Sequence, residues 1–323
     1  MKVCITGGTG MVGQCIKDII KGYSEHEFIF LSRKSNNIHQ VDLRNNKAVM
    51  DYFRYKDYDY IIHLAANVGG LYKNMEKNVE MFNDNMKINQ NVLEACHKNN
   101  INRGIFCLSS CVYPANPSKF PMDETMIHES PPHPSNEGYA YSKRMLEMQC
   151  RHYNKAYGRE YICVTPVNLY GPYDNFSLTN GHFIPMLMNR FYKELQWRHY
   201  NPDSKFIAYG TGTPLRQFLF APDFAKIICE ILFGEKYKST ESIICCNDNE
   251  YTIKQIVNSI AKVMEIGQAN IEWDTTKSDG CMKKTVTNKK FRNIYPNFKF
   301  THINDGLEYT YAWFCANYER LRQ

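Results

Sequence analysis

Near its N-terminus the sequence reads as a short apolar run, a cluster of glycines and then apolar residues at helical spacing. Lys2-Val-Cys-Ile-Thr6 suits a buried strand. Gly7-Gly8-Thr9-Gly10-Met11-Val12-Gly13 follows at once, and Met11, Val12, Cys15, Ile16, Ile19 and Ile20 recur with the period of one helix face. Glycines in that position permit a tight turn and close packing of helix on strand. They also let backbone N–H groups approach a pyrophosphate, to which the helix N-terminus offers positive partial charge. A purely structural glycine turn is the alternative, and the placement directly between a strand and a helix favours the dinucleotide reading. The expected fold is therefore α/β: a Rossmann-type doubly wound parallel sheet, with Gly7, Thr9, Gly10, Met11, Val12 and Gly13 as candidate cofactor contacts.

The next strand, 27–32, ends in Ser32-Arg33-Lys34, with no acid to hold a ribose 2′-hydroxyl. Arg33, with Lys34 beside it, reads as a clamp for a 2′-phosphate and hence predicts NADP(H). Two solvated loop cations are the alternative. A polar helix over 45–55 and a strand over 60–64 follow, and Ala65 and Ala66 are small enough to let the chain pass close under a cofactor or simply to pack tightly. A long helix over 78–99 and a strand over 104–108 lead to a loop rich in Pro, His, Ser and Asn that runs to Gly138. Its length marks it as functional. A helix opened by Tyr139 ends near Gly158, and a strand spans 161–165.

After Gly171 the αβ alternation breaks. Helices are expected at 185–195, 221–233, 252–264 and 301–322, and strands at 206–209, 216–220 and 242–246. No linker separates two halves, which predicts interwoven domains. Residues 1–168 plus about 217–248 form the NADP-binding unit, and about 169–216 plus 249–323 form a smaller α/β nucleotide-sugar unit.

Composition excludes little but narrows the setting. The chain has 323 residues, 43% hydrophobic and 22% charged, with a formal net charge of +6. That charge suits an anionic nucleotide as well as nucleic acid. No apolar run approaches the ~18 residues of a membrane span and no signal-peptide pattern is present. Twelve cysteines lie mostly in apolar segments and form no Cys-x-x-Cys pair. This predicts reduced thiols in the cytoplasm and no zinc or other metal site.

Chemistry enters with Gly138-Tyr139-Ala-Tyr-Ser-Lys143 and Leu108-Ser109-Ser-Cys111. Tyr139 and Lys143 stand four apart, on one face if helical. An ammonium near a phenol favours the phenolate, so the pair can hold or move a proton. A core tyrosine with a solvated lysine is the plain alternative. In this order with the glycine turn, the motifs resemble the extended short-chain dehydrogenase/reductase superfamily. Further motifs narrow the resemblance to the GDP-L-fucose synthase family: Val68-Gly-Gly-Leu71, Asn168-Leu-Tyr-Gly-Pro172, Asp174-Asn-Phe176, Gly181-His182, Gly210-Thr-Gly-Thr-Pro214, Arg216-Gln-Phe218 and Lys277-Ser-Asp-Gly280. Tyr209 stands where that family often has tryptophan, keeping an aromatic face.

The resemblance implies a bifunctional enzyme, a GDP-4-keto-6-deoxy-D-mannose 3,5-epimerase and NADPH-dependent 4-reductase. It implies Ser109, Tyr139 and Lys143 for reduction, with Cys111 and His182 shuttling protons at C3 and C5. A thiol and an imidazole have ordinary pKa values of about 8.5 and 6.5, within reach of neutrality. Buried packing remains the alternative for the cysteine. The resemblance further places Asp42, Leu43, Leu108, Pro166, Asn168, Leu169 and His182 beside the cofactor, together with Ala65 and Ala66. The candidate substrate contacts are Asn168, Arg190, Tyr209, Arg216, Asp279 and Lys284. It also implies a homodimer through a helical bundle. Within the same superfamily a different nucleotide-sugar enzyme is the main alternative, although a 4,6-dehydratase would usually show an Asp-Glu pair where Cys111-Val112 stands. A non-catalytic dinucleotide-binding regulator is the other, although the Ser, Tyr and Lys are all present.

Overall fold

The computed structural model describes residues 1–33 and 39–321. The first half comprises β1 (Lys2–Thr6), α1 (Met11–Ile19), β2 (Glu27–Ser32), β3 (His39–Gln40), α2 (Asn46–Phe53), β4 (Tyr60–His63), α3 (Leu71–Glu76), α4 (Asn78–Lys98), β5 (Arg103–Cys107), α5 (Glu137–Tyr157) and β6 (Glu160–Pro166), alternating as expected with β3 and α3 added. Then come β7 (Asn168–Tyr170), α6 (Phe183–Trp197), β8 (Phe206–Tyr209), β9 (Leu215–Arg216), β10 (Phe218–Phe220), α7 (Ala221–Phe233), β11 (Ile243–Cys245), β12 (Tyr251–Thr252), α8 (Ile253–Val263), β13 (Ile271–Asp274), α9 (Lys289–Ile294) and α10 (Ile303–Asn317).

Seven strands form one parallel sheet in the order β11-β6-β5-β4-β1-β2-β3. The order reverses between β1 and β4, and at such a switch point a crevice opens beyond the C-terminal strand ends. The glycine turn leaves β1 there, and Ala65-Ala66 leave β4 beside it. The sheet residues Ile5, Ile62, Ile105 and Val164 join Ile16, Val92 and Phe224 in one buried apolar cluster. A second cluster gathers Phe176 and Phe191 with Phe206, Ile260, Leu307 and Phe314, packing α6, α8 and α10 around β8.

The strand expected at 216–220 is instead two. Leu215–Arg216 pairs antiparallel with β12, while Phe218–Phe220 pairs parallel with β7. Gln217 between them is buried. Its side-chain amide donates to the Val286 carbonyl at 3.1 Å and accepts from the Val286 N–H at 2.9 Å. The short elements β7, β12, β13, α3 and α9 escaped the sequence reading because two to six residues carry too little periodicity. Gln217→Ala should leave the Val286 N–H buried without a partner and its carbonyl with only the Cys246 thiol at 3.9 Å, at a cost of roughly 2 kcal/mol or more. A urea denaturation midpoint equal to that of the unchanged chain would contradict this role.

Candidate active site

The cofactor cradle is built from backbone. Gly7 has φ +74°, and a Cβ there would stand 2.9 Å from the Ala65 nitrogen. A Cβ on Gly13 would lie 2.6 Å from the Gly7 carbonyl oxygen. Gly10 caps α1 with no side-chain hydrogen bond, so the first N–H groups of the helix keep their capacity for an anion. These features fit the pyrophosphate of a dinucleotide. Thr9 exchanges a hydrogen bond with Ser32 at 2.9 Å, and Met11 and Val12 form the first turn of α1.

Arg33 is exposed at the end of β2 and lies close enough to favour the Asp42 carboxylate. Lys34 lies outside the described residues. Arg44, which the sequence reading passed over, grips Asp42 at 2.7 Å and reaches Asp84 at 3.3 Å. Its hydrogen bond holds the Asp42 carboxyl below the ordinary range, although burial opposes this. Two guanidinium groups therefore border this edge of the crevice. Leu43 is buried, with its carbonyl accepting from Asn91 at 2.8 Å.

Beneath Ala65 runs a buried polar chain that motif reading also missed. The Ala65 N–H donates to Thr6 Oγ1 at 3.2 Å, Thr6 Oγ1 meets His63 Nδ1 at 2.7 Å, and His63 Nε2 meets Asn89 Oδ1 at 3.1 Å. Asn89 Nδ2 then donates to the Ser142 carbonyl at 3.3 Å. These partners assign the ring proton to Nε2. Burial, with the Lys143 charge nearby, pulls His63 down to about 3, so the ring is neutral. The chain ties the floor of the crevice to α4 and to the second turn of α5.

The four-residue spacing of Tyr139 and Lys143 on α5 does place both in the interior, 8% and 1% exposed. Tyr139 packs in one small cluster with Cys111, Met81, Ala140 and Ala66. A thiol and a phenol thus share a wall of the crevice, next to the residue that leaves β4. Ser109 turns the chain out of β5, and its Oγ accepts from the Cys111 N–H at 3.4 Å. Leu108 is buried, and its N–H donates to the Val164 carbonyl at 2.8 Å.

The sign expected for Tyr139 differs. Burial, with the nearby Cys111 and Cys107 thiols, pushes the phenol well above its ordinary value. Lys143 donates to the Cys107 carbonyl at 2.7 Å and lies 5.9 Å from the Tyr139 ring centroid. Burial lowers the Lys143 ammonium in turn. Tyr139 is therefore a protonated phenol, ready to donate. Burial also raises Cys111, against the opposing charge of Lys284 and the hydrogen bond of Ser109.

His182 is the N-cap of α6, the helix whose apolar face packs in the second large cluster. Its Nδ1 lies 3.7 Å from Asp174 Oδ1. Burial disfavours the imidazolium, but the Asp174 carboxylate outweighs it and the net shift is upward. Val68-Gly-Gly-Leu71 meets this segment backbone to backbone: a Cβ on Gly70 would lie 2.5 Å from the Gly181 carbonyl oxygen. Lys73, unanticipated, donates to Asn67 Oδ1 at 2.8 Å and opposes the His182 charge.

A cationic floor completes the site. Leu215 bridges to Lys283, which brings Lys284 beside Arg216. Burial lowers both cations, and each neighbours the partly buried His133 of the long loop. The Arg190 guanidinium stacks 3.8 Å from the Tyr209 ring centroid, with Lys277 at 5.8 Å. Asp279 accepts from the Thr211 N–H at 2.7 Å and its hydroxyl at 2.8 Å, so it shapes the Gly210-Thr-Gly-Thr turn. Asn168 is exposed at the start of β7 and donates to the Gln217 carbonyl at 2.9 Å. Pro166 ends β6 and Leu169 packs on the first cluster.

Known proteins match this arrangement along the whole chain. The profile of the NAD dependent epimerase/dehydratase family matches residues 3–242. The GDP-L-fucose synthase of Dictyostelium discoideum is 38% identical over 321 residues, 99% of this chain and 97% of that protein. A probable GDP-L-fucose synthase of Drosophila melanogaster is 37% identical over 328 residues, 100% of this chain and 99% of that protein. The crystal structure of a GDP-L-fucose synthetase from Naegleria fowleri bound to NADP superposes with a TM-score of 0.88 at 38% identity, covering 100% of this chain and 95% of that one. The chain belongs to the NAD dependent epimerase/dehydratase family and, within it, to the GDP-L-fucose synthases.

Proposed function

We propose that this protein converts GDP-4-keto-6-deoxy-D-mannose to GDP-L-fucose, epimerising C3 and C5 and then reducing C4 with NADPH. The observation that carries the reading is the packing of the Cys111 thiol against the Tyr139 phenol. One site thus holds a proton-exchanging group and a hydride-coupled acid. A C4 ketone acidifies the hydrogens on both neighbouring carbons. Cys111 and His182 exchange those protons, while the Ser109 hydroxyl and the Tyr139 phenol donate to the oxygen as charge develops on it. Bound NADPH supplies the hydride for C4. Tyr139, kept protonated by burial, delivers the proton to the C4 oxygen. Arg216 and Lys284 receive the diphosphate, Tyr209 offers a ring face to the base, and Arg190 backs that ring.

Residues 1–168 plus about 217–248 serve the cofactor, and about 169–216 plus 249–323 serve the GDP-sugar. Twelve free cysteines support a reducing, cytoplasmic setting. Among the described residues no helix is long and apolar enough to cross a membrane. Met75 and Val79, large apolar side chains exposed along α3 and α4, support a homodimer through a helical bundle. The test is incubation with GDP-4-keto-6-deoxymannose and NADPH, followed by identification of the sugar. Any product other than GDP-L-fucose sinks the reading.

The cofactor choice has its own test. Arg33→Asp replaces a cation by an acid where a 2′-phosphate is expected, and should weaken NADPH while narrowing its margin over NADH by about tenfold or more. Titration of both cofactors against both proteins checks this. Tighter NADH than NADPH binding by the unchanged chain would remove Arg33 from the role.

A further inference from the structure

Asp174 sits on the loop between β7 and α6 and is 3% exposed. Its Oδ1 accepts from the Asn175 N–H at 2.7 Å. Its Oδ2 is buried and has no hydrogen-bond partner among the described residues, and the same holds for His182 Nδ1. The two groups face one another, since Nδ1 lies 3.7 Å from Oδ1 of the same carboxylate, just beyond hydrogen-bond reach. A buried carboxylate oxygen and a buried ring nitrogen left unpaired are each costly and call for a physical reason. One is an obligate acceptor and the other donates when it carries a proton.

We propose that Asp174 is the positioning residue of His182, fixing its imidazole with the proton on Nδ1 so that Nε2 is the nitrogen that exchanges protons with the sugar. This rests on the reading of His182 as a proton-transfer group. When Nε2–H breaks and a sugar C–H forms, the imidazolium becomes a neutral ring whose Nδ1–H stays on the Asp174 side. When Nε2 takes a proton from carbon, the reverse holds and the carboxylate stabilises the charge.

The charged groups around the pair fix the sign of the effect. Asp174 from the β7–α6 loop favours the imidazolium, and Lys73 from α3 opposes it. Cys15 of α1 faces the same carboxylate as a thiol, pushed far up by burial and by the nearby Asp18 and Asp174 charges. Removing the Asp174 charge leaves burial and Lys73 acting alone, both against the imidazolium. His182 should then titrate lower than in the unchanged chain.

The experiment is nitrogen NMR on the full chain labelled with ¹⁵N-histidine, with the His182 signals assigned by their loss in His182→Asn. In the unchanged chain His182 should show the Nδ1–H tautomer and titrate above the ordinary 6.5. In Asp174→Asn its pKa should fall by about one unit or more, and Asp174→Glu should restore part of that shift. In deuterated water with substrate, Asp174→Asn should also lose about tenfold or more of its deuterium incorporation, most severely between the lowered and the original His182 pKa, where the variant's ring has shed the proton that the unchanged chain's ring still carries, and less at lower pH, where both rings are protonated. An Nε2–H tautomer in the unchanged chain, or an identical titration in Asp174→Asn, overturns the proposal. If Asp174→Asn does not fold, the tautomer of the unchanged chain decides alone. Failure of the unchanged chain to exchange deuterium would sink the functional reading, while the tautomer and pKa measurements would still judge the Asp174–His182 pair.

Discussion

Tyr139→Phe is expected to lower the rate of ketone reduction by about 10²–10⁴-fold while leaving NADP binding nearly intact. The ring of Tyr139 packs with Cys111, Met81 and Ala140, and phenylalanine keeps that packing. Only the hydroxyl is lost. Burial makes this hydroxyl a weak acid in the free protein, which suits the reductive direction, because the C4 oxygen gains its proton as hydride arrives. Lys143 is held by the Cys107 carbonyl in either protein, so the cofactor site should not collapse. NADPH consumption with the keto-sugar, compared with NADP affinity by titration, separates the two effects. A near-normal consumption rate in the variant would falsify the assignment of Tyr139 as proton donor.

Cys111→Ser should separate epimerisation from reduction. A hydroxyl keeps the size and a hydrogen bond but is far too weak an acid to exchange protons with carbon near neutral pH. Cys111 is a better exchanger even though burial raises its pKa, because the Lys284 ammonium and the Ser109 hydroxyl favour its thiolate. The unchanged chain should place deuterium at C3 and C5 in deuterated water, and the variant about 10²-fold less. The variant should still bind NADPH and a GDP-sugar, and should reduce unepimerised ketone to a 6-deoxyhexose of different configuration. Mass and NMR analysis of the sugar decides. Undiminished deuterium at both carbons would leave Cys111 as a packed thiol and nothing more.

The parts legible in the sequence were those whose physics is local. The glycine turn sits within one strand–helix connection, and its backbone constraints are written in the glycines themselves. The Tyr139/Lys143 spacing is a property of one helix. The parts that stayed hidden depend on segments far apart in the chain. The Lys284 charge acts on Cys111 from a segment that the Leu215–Lys283 bridge holds in place, and no periodicity announces a bridge of that kind. Lys73 stands on a helix of six residues, too short to read, and acts on His182 across the seam. His63 looks like an ordinary strand residue until Thr6 and Asn89 are seen on its two nitrogens. The direction of the Tyr139 shift also needed coordinates, because spacing suggests a neighbouring charge but not the burial that sets the shift.

The contact of Gly70 with Gly181 sets a tolerance for the whole site. Tyr139 and Cys111 are fixed by a small apolar cluster at the end of the sheet, His182 by the helix α6 that packs in the second large cluster, and a reaction needing all three works only if these two parts keep register. Here that register is gauged by main chain against main chain, with no room for even a methyl group between them. Side chains at a joint can rotate away and absorb an error, whereas two peptide backbones cannot. Any spacer introduced there is passed on undiminished to the residue that follows Gly181, which is the imidazole itself.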